Sequence, residues 1–97
     1  MKRTETQPIS RVLDDFFQDN PILREKLAET KLLHSWEKVL GTSISRYTES
    51  LFIRKRSLYV RLSSSVLKNE LMMSREKLVS RLNAEAGMSV IDDIIFT

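Results

Sequence analysis

The chain has 97 residues, 41% apolar and 30% charged, with no cysteine. That is enough for one domain with a single core, too apolar for wholesale disorder, and it excludes disulfides, thiolate zinc sites and cysteine nucleophiles. The net charge of +3 is unevenly placed: residues 1–50 hold eight basic and eight acidic side chains, residues 51–81 hold eight basic against Glu70 and Glu76, and residues 82–97 hold only Glu85, Asp92 and Asp93.

No apolar run approaches the roughly 20 residues that span a bilayer. The opening MKRTETQPIS has two basic residues with no apolar segment behind them, so no signal peptide is expected and the cytoplasm is the default. Residues 1–8 read as a flexible polar tail closed by Pro8. Ser10 can cap a short helix to about Asp19, with Val12, Leu13, Phe16 and Phe17 on one face. Asn20-Pro21 ends that helix and starts another, because asparagine caps well and proline is tolerated at the first helical position. Leu23, Leu27, Leu32, Trp36, Val39 and Leu40 then form an amphipathic stripe that Gly41 ends. At this spacing Trp36 is expected as a core anchor.

After the polar connector GTSISRYTES, the stretch LFIRKRSLYVRL alternates as a strand pair. Leu51 and Ile53 on the first strand, and Leu58, Val60 and Leu62 on the second, share one face only if opposed residues sum to an odd number, since a slip of one residue flips every side chain. A two-residue turn at Lys55-Arg56 meets that condition and sets Phe52 opposite Tyr59; a four-residue loop of the same parity is equally acceptable. Ser63 to Ser65 offer N-caps for a long helix to about Ala86, with Val66, Leu67, Leu71, Leu78, Val79 and Leu82 inward, and Gly87 closes it. SVIDDIIFT reads as a last strand. The fold class is α+β, in the order α-α-β-β-α-β, and a three-stranded sheet with helices packed on one face is the economical arrangement.

Catalytic constellations are scarce, and no enzyme is expected. His34, the single histidine, sits between Lys31 and Lys38 on a helix and reads as a surface residue. Asp14-Asp15 and Asp92-Asp93 are adjacent pairs whose side chains point apart. Gly41 and Gly87 are isolated and cannot form a phosphate-cradling loop. No cofactor, metal or small-molecule substrate is expected. The basic hairpin is the stronger signal, because aromatic rings offer faces to unstacked bases while arginines track phosphates. The candidate nucleic-acid-binding residues are Arg54, Lys55, Arg56, Tyr59, Arg61, Lys68 and Arg75, with Phe52 as a stacking candidate. The structural alternative is that Phe52 and Tyr59 form only a stabilising cross-strand pair, or lie beneath part of the N-terminal helix.

From Trp36 onward, WEKVLGTSISRYTES, SLYVRLSSSVLKNEL and LVSRLNAEAGMSVIDDIIF resemble, in order, segments of the DciA-like family. This is a widespread bacterial group of domains of unknown function that includes the loader of the replicative helicase. The shared elements are Trp36, Val39, Gly41 and Ile44 at a helix end, the strand entering a serine-rich cap followed by Glu70-Leu71, and the ending with Leu82-Asn83, Gly87, Ile94 and Phe96. Members often carry Trp where Val66 stands and Gly in the hairpin where Lys55-Arg56-Ser57 stand. The resemblance implies a K-homology-like domain over residues 9–97, binding to DNA and contact with the replicative helicase. A K-homology domain clamps backbone through a Gly-x-x-Gly loop; without one, any nucleic-acid contact here falls to the basic hairpin and the long helix. The expected function is therefore non-enzymatic DNA binding in replication, through helicase recruitment or loading, with RNA open as a ligand. The alternative is a protein–protein adaptor whose basic face docks an acidic partner without nucleic acid.

Overall fold

A computed structural model describes residues 20–97; the expected tail 1–8 and the expected helix from Ser10 to Asp19 lie outside the described residues. Asn20 accepts a 3.2 Å hydrogen bond from the Leu23 amide through its side chain and caps α1 (Pro21–His34), with Pro21 in the first turn. The stripe read as one helix to Leu40 is interrupted at Ser35. Its hydroxyl donates back to the Leu32 carbonyl at 2.8 Å, a bond that competes with helical hydrogen bonding. The chain resumes as α2 (Trp36–Leu40), and Gly41, at φ 96°, turns it into α3 (Thr42–Arg46). Only Ile44 among these five residues is apolar, so α3 has no periodicity to announce it.

Strand β1 (Thr48–Arg54) pairs antiparallel with β2 (Ser57–Leu62), and β2 pairs parallel with β3 (Asp93–Phe96), giving the order β1-β2-β3. Two helices connect β2 to β3: α4 (Ser65–Met73), capped by the Ser64 hydroxyl accepting from the Leu67 amide at 3.3 Å, and α5 (Arg75–Ala86). The long helix expected from Ser65 to Ala86 is thus broken at Ser74, whose φ of −107° and ψ of 17° leave the helical region. Gly87 ends α5 in the left-handed conformation at φ 84°, which glycine adopts without a Cβ clash.

The core is one cluster beneath the sheet. Leu58, Val60, Leu62, Ile94 and Phe96 from the strands meet Ala28, Leu32, Trp36, Leu71, Leu78, Leu82 and Ala86 from the helices. Trp36 is buried, as its spacing required, and its indole Nε1 donates to Thr48 Oγ1 at 3.0 Å while that hydroxyl donates to the Ile44 carbonyl at 2.9 Å. The indole thereby keeps a hydrogen-bond partner despite burial. Val66 departs from the expectation: it is 67% exposed. At 100° per residue Val66 lies about 100° from Leu67 and about 140° from Leu71, off the inward stripe that Leu67, Leu71, Leu78 and Leu82 share across the break at Ser74.

A second polar anchor escaped the sequence reading. Asn83 Oδ1 accepts from the Val90 and Ile91 amides at 2.9 and 3.1 Å, and its Nδ2 donates to the Ile91 carbonyl at 2.9 Å. One amide side chain so replaces the ladder for the segment entering β3, where Val90 and Ile91 are themselves buried.

Candidate nucleic-acid interface

The hairpin turn is the two-residue alternative. Lys55 and Arg56 both have positive φ, 51° and 63°, as the turns that match strand twist require. Neither residue type favours that region, and Arg56 shows what holds it there. Its Nε and one terminal nitrogen donate to Asp92 Oδ2 and Oδ1 at 2.9 and 3.0 Å, while further bonds reach the Ser89 hydroxyl and carbonyl. The Arg56 carbonyl also accepts from the Asp92 amide at 2.8 Å. The fork geometry of guanidinium on carboxylate raises the Arg56 pKa and lowers that of Asp92 below its ordinary 3.8, the side-chain hydrogen bond being the main cause in both.

The register sets Phe52 opposite Tyr59, and Tyr59 beside Ile95 on β3. Side chains alternate across a strand, so Phe52, Tyr59 and Ile95 make one row on the sheet face turned away from the core. The Phe52 and Tyr59 rings stack, with centroids 4.9 Å apart and planes 6° from parallel. Phe52 remains 48% exposed. Arg54 flanks this row toward the hairpin turn; Ser50 and Arg61 flank it on the other side. Arg61 Nε forms an ion pair with Glu49 at 3.2 Å, and Glu49 sits where the register shifts between Thr48 and Ser50.

The structure thus gathers Phe52, Arg54, Tyr59 and Arg61 on one face, with Lys55 at its tip. It does not bring Lys68 and Arg75 to that row. Lys68 is half-buried on α4, and Arg75, in the first turn of α5, pairs with Asp93 at 3.2 Å. Among the described residues Arg54, Lys55 and Lys68 make no ion pair, whereas Arg56, Arg61 and Arg75 each hold an acidic partner. His34 is exposed. No group of three or more His, Asp or Glu side chains among the described residues could hold a metal ion, and no described helix is long and apolar enough to cross a membrane.

Fold and site together define a small α+β domain whose sheet covers a helical core with one face and presents aromatic and basic side chains on the other. A family model described as "Dna[CI] antecedent, DciA" matches residues 8–96, and the chain belongs to that family. The family relates to loading of the replicative helicase and is a loader or adaptor rather than a catalytic family, which makes this a replication-associated protein. Comparison with curated proteins and with solved structures gives no significant match.

Proposed function

We propose that the chain is a non-enzymatic, cytoplasmic DNA-binding protein of K-homology-like fold that recruits or loads the replicative helicase. The observation that carries this reading is the exposed Phe52–Tyr59 stack with Arg54 and Arg61 beside it on one sheet face. Phosphates are captured by Arg54 and Lys55, which no carboxylate among the described residues occupies, and by Arg61 in exchange for Glu49. Bases stack on the aromatic row, a mode that tolerates any sequence because every base offers a π-face. Arg56 serves the same face indirectly by fixing the turn that aims Arg54 and Lys55. Lys68 and Arg75 extend the positive field rather than the contact surface. Helicase contact follows from family membership.

The test is a titration against single-stranded DNA, duplex DNA and single-stranded RNA at several salt concentrations. Each neutralised phosphate contributes about −0.9 to the slope of log affinity against log salt on a duplex and about −0.7 on a single strand, so four or five contacts give roughly −3 to −4. No binding at low salt would remove the DNA reading. The adaptor reading draws on Arg56, Arg61 and Arg75, three surface arginines that already hold carboxylates. It would be upheld by helicase capture without any nucleic-acid binding.

A further inference from the structure

Strand β1 is an edge of the sheet: β2 pairs with one side of it, and no other strand among the described residues flanks it. The two-residue turn is closed by hydrogen bonding between its flanking residues, Arg54 and Ser57. Hydrogen-bonded and non-hydrogen-bonded pairs alternate along an antiparallel ladder. Phe52 and Ser50 therefore bond to β2, while the amides and carbonyls of Leu51 and Ile53 point off the open edge. None of these has a backbone partner among the described residues. Such a row is a template for another strand. The bulge between Thr48 and Ser50 ends the regular path, so the template runs from Ser50 to Arg54. Its three middle residues are apolar, with Phe52 exposed and Leu51 and Ile53 half-buried.

We propose that this edge pairs antiparallel with the same edge of a second copy of the chain, joining two three-stranded sheets into one of six strands and closing the open side of Phe52. Opposed residues must sum to an even number if the two inner faces are to stay together. A five-residue template that pairs with itself about a two-fold axis is centred on its middle residue. Phe52 then opposes Phe52 of the second copy, Leu51 opposes Ile53, and Ser50 opposes Arg54. Each Leu51–Ile53 pair exchanges two backbone hydrogen bonds and so satisfies the groups the edge leaves open. The two Phe52 residues fall at a non-hydrogen-bonded position, where side chains across a ladder come closest.

Charge selects a second copy over an unrelated strand. Arg54, at one end of the template, has no ion pair among the described residues. Glu49, at the other end, lies in the bulge and turns its carboxylate to the outer face, where Arg61 holds it. A strand with one basic and one acidic end is its own complement when run antiparallel, because the two-fold sets each end against the opposite end. Arg54 of each copy thus arrives beside Ser50 and Glu49 of the other. Charges that ordinarily guard an edge against strangers here admit a copy. Five residues a side fall short of the roughly 800 Å² per partner of a stable interface, so the pairing is weak and reversible. In one respect it rests on the DNA reading above. One face of the Phe52 ring lies on Tyr59, and the other, over the open edge, is where a base would stack. Self-pairing and base stacking on Phe52 therefore exclude each other.

The experiment is sedimentation equilibrium of the full chain without DNA, from about 10 μM to about 1 mM. The mean mass is expected to rise with concentration from one copy toward two. Arg54→Glu is expected to weaken association roughly tenfold, because the unfavourable contact with Glu49 is felt at both ends. Adding Ser50→Lys to Arg54→Glu is expected to restore it, since the new lysine then opposes the new glutamate across the two-fold. Both positions are exposed, and the thermal midpoint of each variant checks that the fold is kept. A single copy up to about 1 mM overturns the proposal, and so does association that Arg54→Glu leaves unchanged or that the double variant fails to restore. A single-stranded oligonucleotide too short to bridge two copies is then added to the paired protein, and the mass is expected to return to one copy. Pairs that persist with the oligonucleotide bound overturn the exclusion. Failure of the oligonucleotide to bind removes the function proposed above and the exclusion with it, and leaves the pairing standing, because that is measured without DNA.

Discussion

The two faces of the sheet are built from alternate residues of the same three strands, yet they follow different rules. On the inner face Leu58, Val60 and Ile94 are essentially without solvent contact, and Phe96 and Leu62 are buried. On the outer face Tyr59 and Ile95 are half-buried and Phe52 is exposed, with Arg54 and Arg61 around them. Solubility alone would have been met by threonine, lysine and glutamate at those outer positions. The inner face needs any well-packed hydrophobe of the right size, whereas the proposed DNA binding would use an outer aromatic pair ringed by arginines against π-faces and negative charge.

The comparison breaks first at the core. Leu82 is fully buried against the inner face, and Leu82→Ala is expected to destabilise by about 2–5 kcal/mol, read as a lowered urea midpoint with an unchanged slope. DNA binding by the fraction that stays folded should not alter. Substitutions on the outer face should show the reverse pattern. Tyr59→Ala is expected to cost about 1–3 kcal/mol in single-strand affinity with a nearly unchanged salt slope, and Phe52→Ala somewhat less. The stability loss from breaking the cross-strand pair should be no more than about 1 kcal/mol. Arg54→Ala should flatten the salt slope by a little under one unit, as the loss of one phosphate contact does. If the aromatic variants lose stability while their folded fraction binds normally, the pair is structural.

The smallest effect concerns the turn that aims the outer face. The Asp92 carboxyl titrates below its ordinary value because Arg56 holds its charged form. A depressed folded-state pKa gives stability that is complete above about 3.8 and is lost as pH falls through the lowered value. Asp92→Asn should therefore lower the thermal midpoint slightly at neutral pH, and the gap should close in strong acid. A gap that persists at the lowest pH would mean the pair acts through something other than the carboxylate charge.

Much of this was legible from the residues. The two-residue alternation fixed the pairing of Phe52 with Tyr59 before any coordinates, because burying Leu58, Val60 and Leu62 together with Ile53 leaves only one parity. Helical spacing identified Trp36 as core. Asn20, Pro21 and Gly87 marked helix ends through local backbone chemistry. What periodicity could not show were the interruptions at Ser35 and Ser74, where single residues leave the helical path without disturbing the apolar stripe. Val66 was misassigned for a different reason: it adjoins Leu67 in sequence but lies about 100° round the helix from it, off the inward stripe. Charge counting found the basic block but not its internal pairing, since Arg56 with Asp92 and Arg75 with Asp93 are contacts between residues distant in sequence. The anchoring role of Asn83 was invisible for the same reason: an asparagine near a helix end carries no signal that it will hold a loop seven or eight residues on.

Strand β3 lies beside β2 although thirty residues separate them. Until Ile94 and Phe96 arrive, Leu58 and Val60 have no neighbour on that side, and α5 has only half a floor to rest on. During synthesis at about 5–20 residues per second, a nascent chain of this protein can complete its sheet only once Phe96 has cleared the ribosomal tunnel. The molecule would be most vulnerable to proteolysis and to chaperone capture in the seconds before its final strand emerges.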